Sequence, residues 1–138
     1  MHPLLRNLLA VLAGFIVGSA VNMALVNISG SIIPPPEGSD MTSMEGLKAA
    51  MERMGPRHYV FPFLAHALGT LAGALLTAKL AVTHRLGLAM IIGVIFLIGG
   101  SMMVMSLPSP LWFNVLDLAV AYIPMAYIGG KLGSGKST

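Results

Sequence analysis

Long apolar runs separated by short polar segments dominate the chain. Four runs are long enough to cross the apolar core of a bilayer as a helix, which takes roughly 20 residues. They cover about residues 4–28, 59–80, 86–107 and 111–128. The first run continues to Ile28 and is too long for a typical signal peptide. The pattern predicts an all-α integral membrane protein, with four transmembrane helices forming a bundle as one domain over 1–138.

The segment between the first two runs, residues 29–58, has its own pattern. Pro34, Pro35 and Pro36 favour an extended chain, and Thr42 with Glu45 fits a capping box at the start of a helix. Apolar residues then recur at helical spacing, namely Met44, Leu47, Met51 and Met54. This predicts a short amphipathic helix over about 43–54, which either lies on the membrane surface or forms a lid over the bundle.

Composition supports a membrane location. Apolar residues make up 56% of the chain and charged residues 9%, too few to cover the surface of a soluble domain. The formal charge is +3, but the eight Lys and Arg residues are scattered and form no basic patch. We therefore expect membrane lipid, and not nucleic acid, as a partner. The chain has no Cys, which excludes disulfides and thiolate metal sites.

The distribution of positive charge predicts the orientation. Three positive residues, Lys48, Arg53 and Arg57, lie in the 29–58 loop beside several acids. Five lie on the side of both termini: Arg6, Lys79, Arg85, Lys131 and Lys136. The positive-inside rule then places both termini and the tail 131–138 in the cytoplasm. The chain resembles small four-span bacterial membrane proteins, so we expect the bacterial inner membrane.

Polar side chains inside the spans indicate a site. Asp117 is the only acidic residue well inside a span, and His66 is the only intramembrane histidine. Asn22 and Ser101 lie in two other spans, and Asn114 precedes Asp117. At 1.5 Å per residue, the first four all lie roughly 10 Å below the predicted outer boundary. Because polar groups are costly in lipid, this layer is the best candidate site.

Small residues occupy the same helix faces as the polar groups. Ala10, Gly14 and Gly18 precede Asn22 at four-residue spacing, and Gly69 and Gly73 follow His66 as a G-x-x-x-G pair. Such stripes allow close helix contact in a bilayer. Pro124 deprives one carbonyl of its partner and predicts a kink in the fourth span.

Two interpretations of the polar layer remain open. His66 and Asp117 could pair only to fix helix register, or they could form a proton-exchanging or ion-binding site open to the outside. The second interpretation predicts a proton- or ion-coupled transporter or channel-like protein, as a homo-oligomer, with the loop helix as a lid. The alternatives are an accessory or assembly subunit of a larger membrane complex and a lipid- or quinone-modifying enzyme.

Other motifs predict less. A catalytic role is not favoured, since a Ser101–His66–Asp117 triad depends on geometry that spacing does not establish. Thioether and imidazole suit Cu(I), so His66 with Met102 and Met105 is an alternative metal site; otherwise we expect no metal and no cofactor. Residues 130–137 match a phosphate-loop pattern. No strand is predicted before it and no helix after it, so we predict no nucleotide site.

Overall fold

The protein is all-helical in its computed structural model, which describes residues 1–135 and contains no strand within that range. Lys136 and the end of the phosphate-loop pattern, Ser137, lie outside the described residues. The six α-helices are α1 (Pro3–Ile32), α2 (Met44–Met51), α3 (Val60–Leu80), α4 (Arg85–Ser106), α5 (Leu111–Val120) and α6 (Ile123–Ser134). A short 3₁₀ turn, Pro56–Tyr59, leads directly into α3.

Four helical segments are long and apolar enough to cross a membrane, as the sequence predicts. They are Pro3–Ile32, Pro56–Leu80, Arg85–Ser106 and Leu111–Ser134. The first ends just before Pro34, because a residue that precedes proline is disfavoured in the helical conformation. The fourth continues to Ser134, so residues 131–134 extend α6 and do not form the start of a tail.

The crossing of α1 and α3 is built from glycine. A Cβ atom on Gly73 would lie 2.6 Å from the carbonyl oxygen of Gly14, and one on Gly18 would lie 2.7 Å from that of Gly69. The two backbones therefore touch directly, which only glycine permits at these positions. The predicted small-residue stripes therefore make contacts between helices of a single copy of the chain.

Helix α6 uses glycine in the same way. A Cβ atom on Gly129 would lie 2.5 Å from the carbonyl oxygen of Leu71, and one on Gly133 would lie 2.3 Å from that of Leu75. Gly130 packs against Ala89 of α4. Gly130 and Gly133, which fall within the phosphate-loop pattern, are thus helical residues that let α6 approach α4 and α3.

The fourth apolar segment is broken at Ala121 and Tyr122, which separate α5 from α6. Pro124 is the second residue of α6 and has no N–H for the carbonyl of Val120. Tyr122 departs from helical geometry, with φ −112° and ψ −75°. The kink that Pro124 predicts is therefore present, one turn before the proline.

The loop of residues 33–59 folds over one end of the bundle. Ser43, and not Thr42, caps α2, since the Gly46 N–H donates to its hydroxyl oxygen at 3.0 Å. Thr42 instead donates from its N–H and hydroxyl to Asp40, and these bonds lower the pKa of that carboxyl. The helix ends at Met51, three residues before the predicted end, so Met54 lies in the turn that follows.

Two side chains fasten this loop. The Arg53 guanidinium donates to the carbonyl oxygen of Glu37 at 2.8 Å and to the hydroxyl of Ser39 at 3.1 Å. His58 Nδ1 accepts from the Gly55 N–H at 3.0 Å, so its Nε2 is the nitrogen that donates to Pro34, at 3.1 Å. These bonds tie the segment that follows α1 to the segment that precedes α3.

Candidate functional site

A histidine–aspartate pair joins α3 to α5. The Nδ1 atom of His66 lies 2.8 Å from Oδ1 and 3.0 Å from Oδ2 of Asp117. Asp117 is only 2% exposed, whereas the His66 side chain is 28% exposed. An ionised carboxylate can only accept, so the proton on this ring belongs to Nδ1.

A third residue, Tyr122, contacts both members of the pair, and the sequence did not predict it. Its hydroxyl donates to Oδ2 of Asp117 at 3.1 Å, and its ring stacks on His66 with centroids 5.7 Å apart. In an unbroken helix, a residue five positions after Asp117 would point away from it. The break before Pro124 changes the direction of Tyr122, and this break was the one available signal.

Gly100 of α4 makes room for this tyrosine. A Cβ atom on Gly100 would lie 2.3 Å from the Tyr122 hydroxyl oxygen. The α4 residue that meets the site is therefore Gly100, one position before the predicted Ser101. Ser101 itself is half-buried and makes no side-chain hydrogen bond within residues 1–135.

The pair borders a cavity of about 530 Å³, within the usual range for small-molecule pockets. The cavity lies between the ends of α1 and α4, under α2, and His66 and Asp117 both line it. The second ring nitrogen of His66, Nε2, has no hydrogen-bond partner in the described chain and is not fully buried. One imidazole nitrogen is therefore held by protein and the other is free for a ligand or a proton.

Tyr59 is a second polar group at the cavity. It is 4% exposed, and its hydroxyl is buried without a hydrogen-bond partner among the described residues. Its ring packs against Phe113 and Trp112, with centroids 4.7 and 5.8 Å away. An unpaired buried hydroxyl costs about 1–3 kcal/mol, so this is an unfavourable feature retained at the cavity wall.

Beyond the pair, toward the far end of α3, the bundle is filled with small side chains. A first buried cluster contains Ala67, Ala121 and Tyr122. A second contains Ala74, Ala78, Ala89, Ile92 and Ala126. The Thr70 hydroxyl is satisfied locally by the carbonyl oxygen of His66, at 2.7 Å. The cavity thus borders a tightly packed half of the molecule.

Two other predicted site residues do not reach the pair. Asn22 is half-buried beside Gly69, and its amide makes no hydrogen bond in the described part of the chain. Asn114 bonds instead to Ser109, accepting from its hydroxyl and donating to its carbonyl oxygen. Equal depth in the bundle therefore did not bring all the predicted polar groups together.

Three of the four predicted lid residues line the cavity, namely Leu47, Met51 and Met54. Met44 is 50% exposed and does not. The methionines of the copper alternative, Met102 and Met105, do not line the cavity either. They are 62% and 87% exposed. Met103 lies between them in sequence and does line the cavity.

A larger groove of about 680 Å³ lies elsewhere, between α1 and the start of α4. It is lined mainly by apolar residues such as Leu8, Leu12 and Leu88. Asn7 and His84 are its two polar lining residues, and Asn7 holds the α3–α4 turn by donating to Thr83 at 2.7 Å. Since neither His66 nor Asp117 borders it, we place the candidate site in the smaller cavity.

Comparisons with known proteins identify no relative, so the candidate site is argued from its geometry alone. No protein-family model, curated protein or solved structure matches the chain. Among the described residues, no group of three His, Asp or Glu side chains is placed to hold a metal ion.

Proposed function

We propose that the protein is an integral membrane protein that couples proton exchange to the movement of a small molecule or ion. In this proposal α1, α3, α4 and the α5–α6 pair cross the bacterial inner membrane, with both termini in the cytoplasm. The asymmetry of Lys and Arg along the sequence supports this orientation. The cavity then opens toward the outside.

The observation that carries the proposal is the position of the His66–Asp117 pair at the wall of the cavity, with Nε2 free. Imidazole is the side chain that ordinarily changes charge between about pH 5 and 8. The Asp117 carboxylate holds Nδ1 and orients the ring, so Nε2 can exchange a proton without breaking that contact. A structural pin alone would not need a free nitrogen in an open cavity.

Helix α2 would act as a lid. Its residues Leu47 and Met51 line the cavity, and the loop that carries it is held by the hydrogen bonds of Arg53 and His58. Methionine side chains adapt to different partners, which suits a cover over a variable ligand. A homo-oligomer remains part of the proposal, since four helices rarely enclose a transport pathway alone.

The packed half beneath the pair supports a second candidate. Buried alanines fill the space beyond Tyr122, and transport would require this half to open. A protein that binds a ligand or partner on the outer side without moving it needs no such opening. This is the accessory-subunit alternative, in which the loop over the cavity is the contact surface.

Proton flux in reconstituted vesicles tests the first candidate. We expect the purified protein to increase proton flux driven by a pH gradient, and Asp117→Asn to remove most of the increase. Glu45→Gln is the matched control, because Glu45 lies on α2 and does not line the cavity. Flux that is equal in Asp117→Asn and the parent would refute the coupled-transport proposal. No flux together with a stoichiometric co-purifying membrane protein would favour the accessory role.

A further inference from the structure

Methionines from two separate parts of the chain line the same cavity. Met41, Met51 and Met54 come from the loop that carries α2, and Met103 comes from the end of α4. Four of the eleven methionines of the chain thus line a single space. Methionine side chains have three rotatable bonds, so the thioether sulfurs can be directed to a common point.

The free imidazole nitrogen of His66 borders the same space. Because Nδ1 is hydrogen-bonded to Asp117, the lone pair of Nε2 in the neutral ring is the one available to a ligand, and His66 lines the cavity. Histidines that bind metal ions almost always have this arrangement, in which a carboxylate fixes the tautomer and raises the basicity of the ligating nitrogen. The other histidine at the cavity, His58, has both ring nitrogens occupied by Gly55 and Pro34.

The imidazole and thioether ligands available in the cavity favour a soft cation. Imidazole and thioether ligands suit Cu(I), whereas Mg²⁺ and Ca²⁺ prefer oxygen ligands. The lining residues include no Lys or Arg that would repel a cation, and Asp117 adds a negative charge beside the ligating ring.

We propose that the cavity binds a Cu(I) ion through Nε2 of His66 and thioether sulfurs drawn from Met51, Met54, Met103 and Met41. The site has a different methionine set from Met102 and Met105, which do not line the cavity. This inference rests on the proposed function and names its cargo.

A competition assay tests the site. The purified full-length protein in detergent is titrated anaerobically with Cu(I) held by a chromophoric chelator. We expect the protein to withdraw about one equivalent of Cu(I), and His66→Gln to weaken the affinity at least about tenfold, the range typical of lost metal-site interactions. The double variant Met51→Leu with Met54→Leu should weaken it similarly, and leucine conserves side-chain volume.

The matched control is Met102→Leu with Met105→Leu, which removes two exposed thioethers outside the cavity and should leave the affinity unchanged. No withdrawal of Cu(I), or equal losses in the cavity and control variants, would overturn the site. X-ray absorption on the Cu(I)-loaded parent protein must also show both sulfur and imidazole ligands. Cu(I) binding without proton flux would refute transport but keep the site, and flux without Cu(I) binding would do the reverse.

Discussion

Gly73→Leu is expected to lower the free energy of unfolding by more than about 3 kcal/mol, the upper range for overpacked cores. Even the first added atom, Cβ, would lie 2.6 Å from the carbonyl oxygen of Gly14 and 3.3 Å from Ile92. The nearest obstacle is backbone, which cannot rotate aside. Helix α1 must therefore move away from α3, and the contacts along the whole crossing are lost.

The measurement is reversible unfolding in mixed micelles with increasing sodium dodecyl sulfate. The matched control is Gly99→Ala, because a Cβ atom at Gly99 meets nothing within 4 Å. This control should change stability little, or stabilise by up to about 1 kcal/mol through the better helix propensity of alanine. Similar small effects of Gly99→Ala, Gly73→Ala and Gly73→Leu would contradict the direct backbone contact between α1 and α3.

Asp117→Leu is expected to have the second-largest effect on stability, a loss of about 2 kcal/mol. It leaves the Nδ1–H of His66 and the hydroxyl of Tyr122 without their shared acceptor. Unsatisfied buried polar groups cost about 1–3 kcal/mol each, but His66 is 28% exposed and can bond to water. The orphaned Tyr122 hydroxyl, on a residue only 2% exposed, therefore carries most of the loss.

Two milder variants separate the contributions of the individual hydrogen bonds to stability. Tyr122→Phe removes one hydrogen bond and should cost about 1 kcal/mol, and Asp117→Asn keeps a carbonyl oxygen as acceptor and should cost less than Asp117→Leu. All three are compared in the same unfolding assay. The network is disproved if Asp117→Leu is as stable as the parent, or if Tyr122→Phe has no effect.

Hydropathy and spacing predicted much of the fold. Four apolar runs became four helical segments, the fourth divided into α5 and α6, since run length is set by what a helix needs to cross a bilayer. The buried face of α3 contains the predicted Gly69 and Gly73, together with Thr70 and Thr77. Pro124 located the break because its missing N–H acts locally, without help from the rest of the fold.

The site was less predictable because depth along a helix does not determine direction around the bundle. His66 and Asp117 share both depth and direction, whereas Asn22 turns to the backbone of α3 and Asn114 to Ser109. Contact with Tyr122 needed the helix break, and access for its ring needed the absence of a side chain at Gly100. These are properties of packing between helices and have no signature in the spacing of a single helix.

The methionine positions show the same limit. Sequence alone placed Met102, Met103 and Met105 together near the end of α4, but only Met103 turns toward the cavity. The loop that carries the other three methionines is folded on itself by the hydrogen bonds of Arg53 to Glu37 and of His58 to Pro34. Such long-range hydrogen bonds cannot be read from local patterns.

Nitrogen-15 NMR of His66 in lipid bilayers measures whether the His66–Asp117 pair exchanges protons with the cavity. When the pH is varied between about 5 and 8, we expect Nδ1 to remain bonded to Asp117 while Nε2 exchanges its proton with the cavity. A His66 signal that is unchanged across this pH range would contradict the account and identify the pair as a structural contact alone.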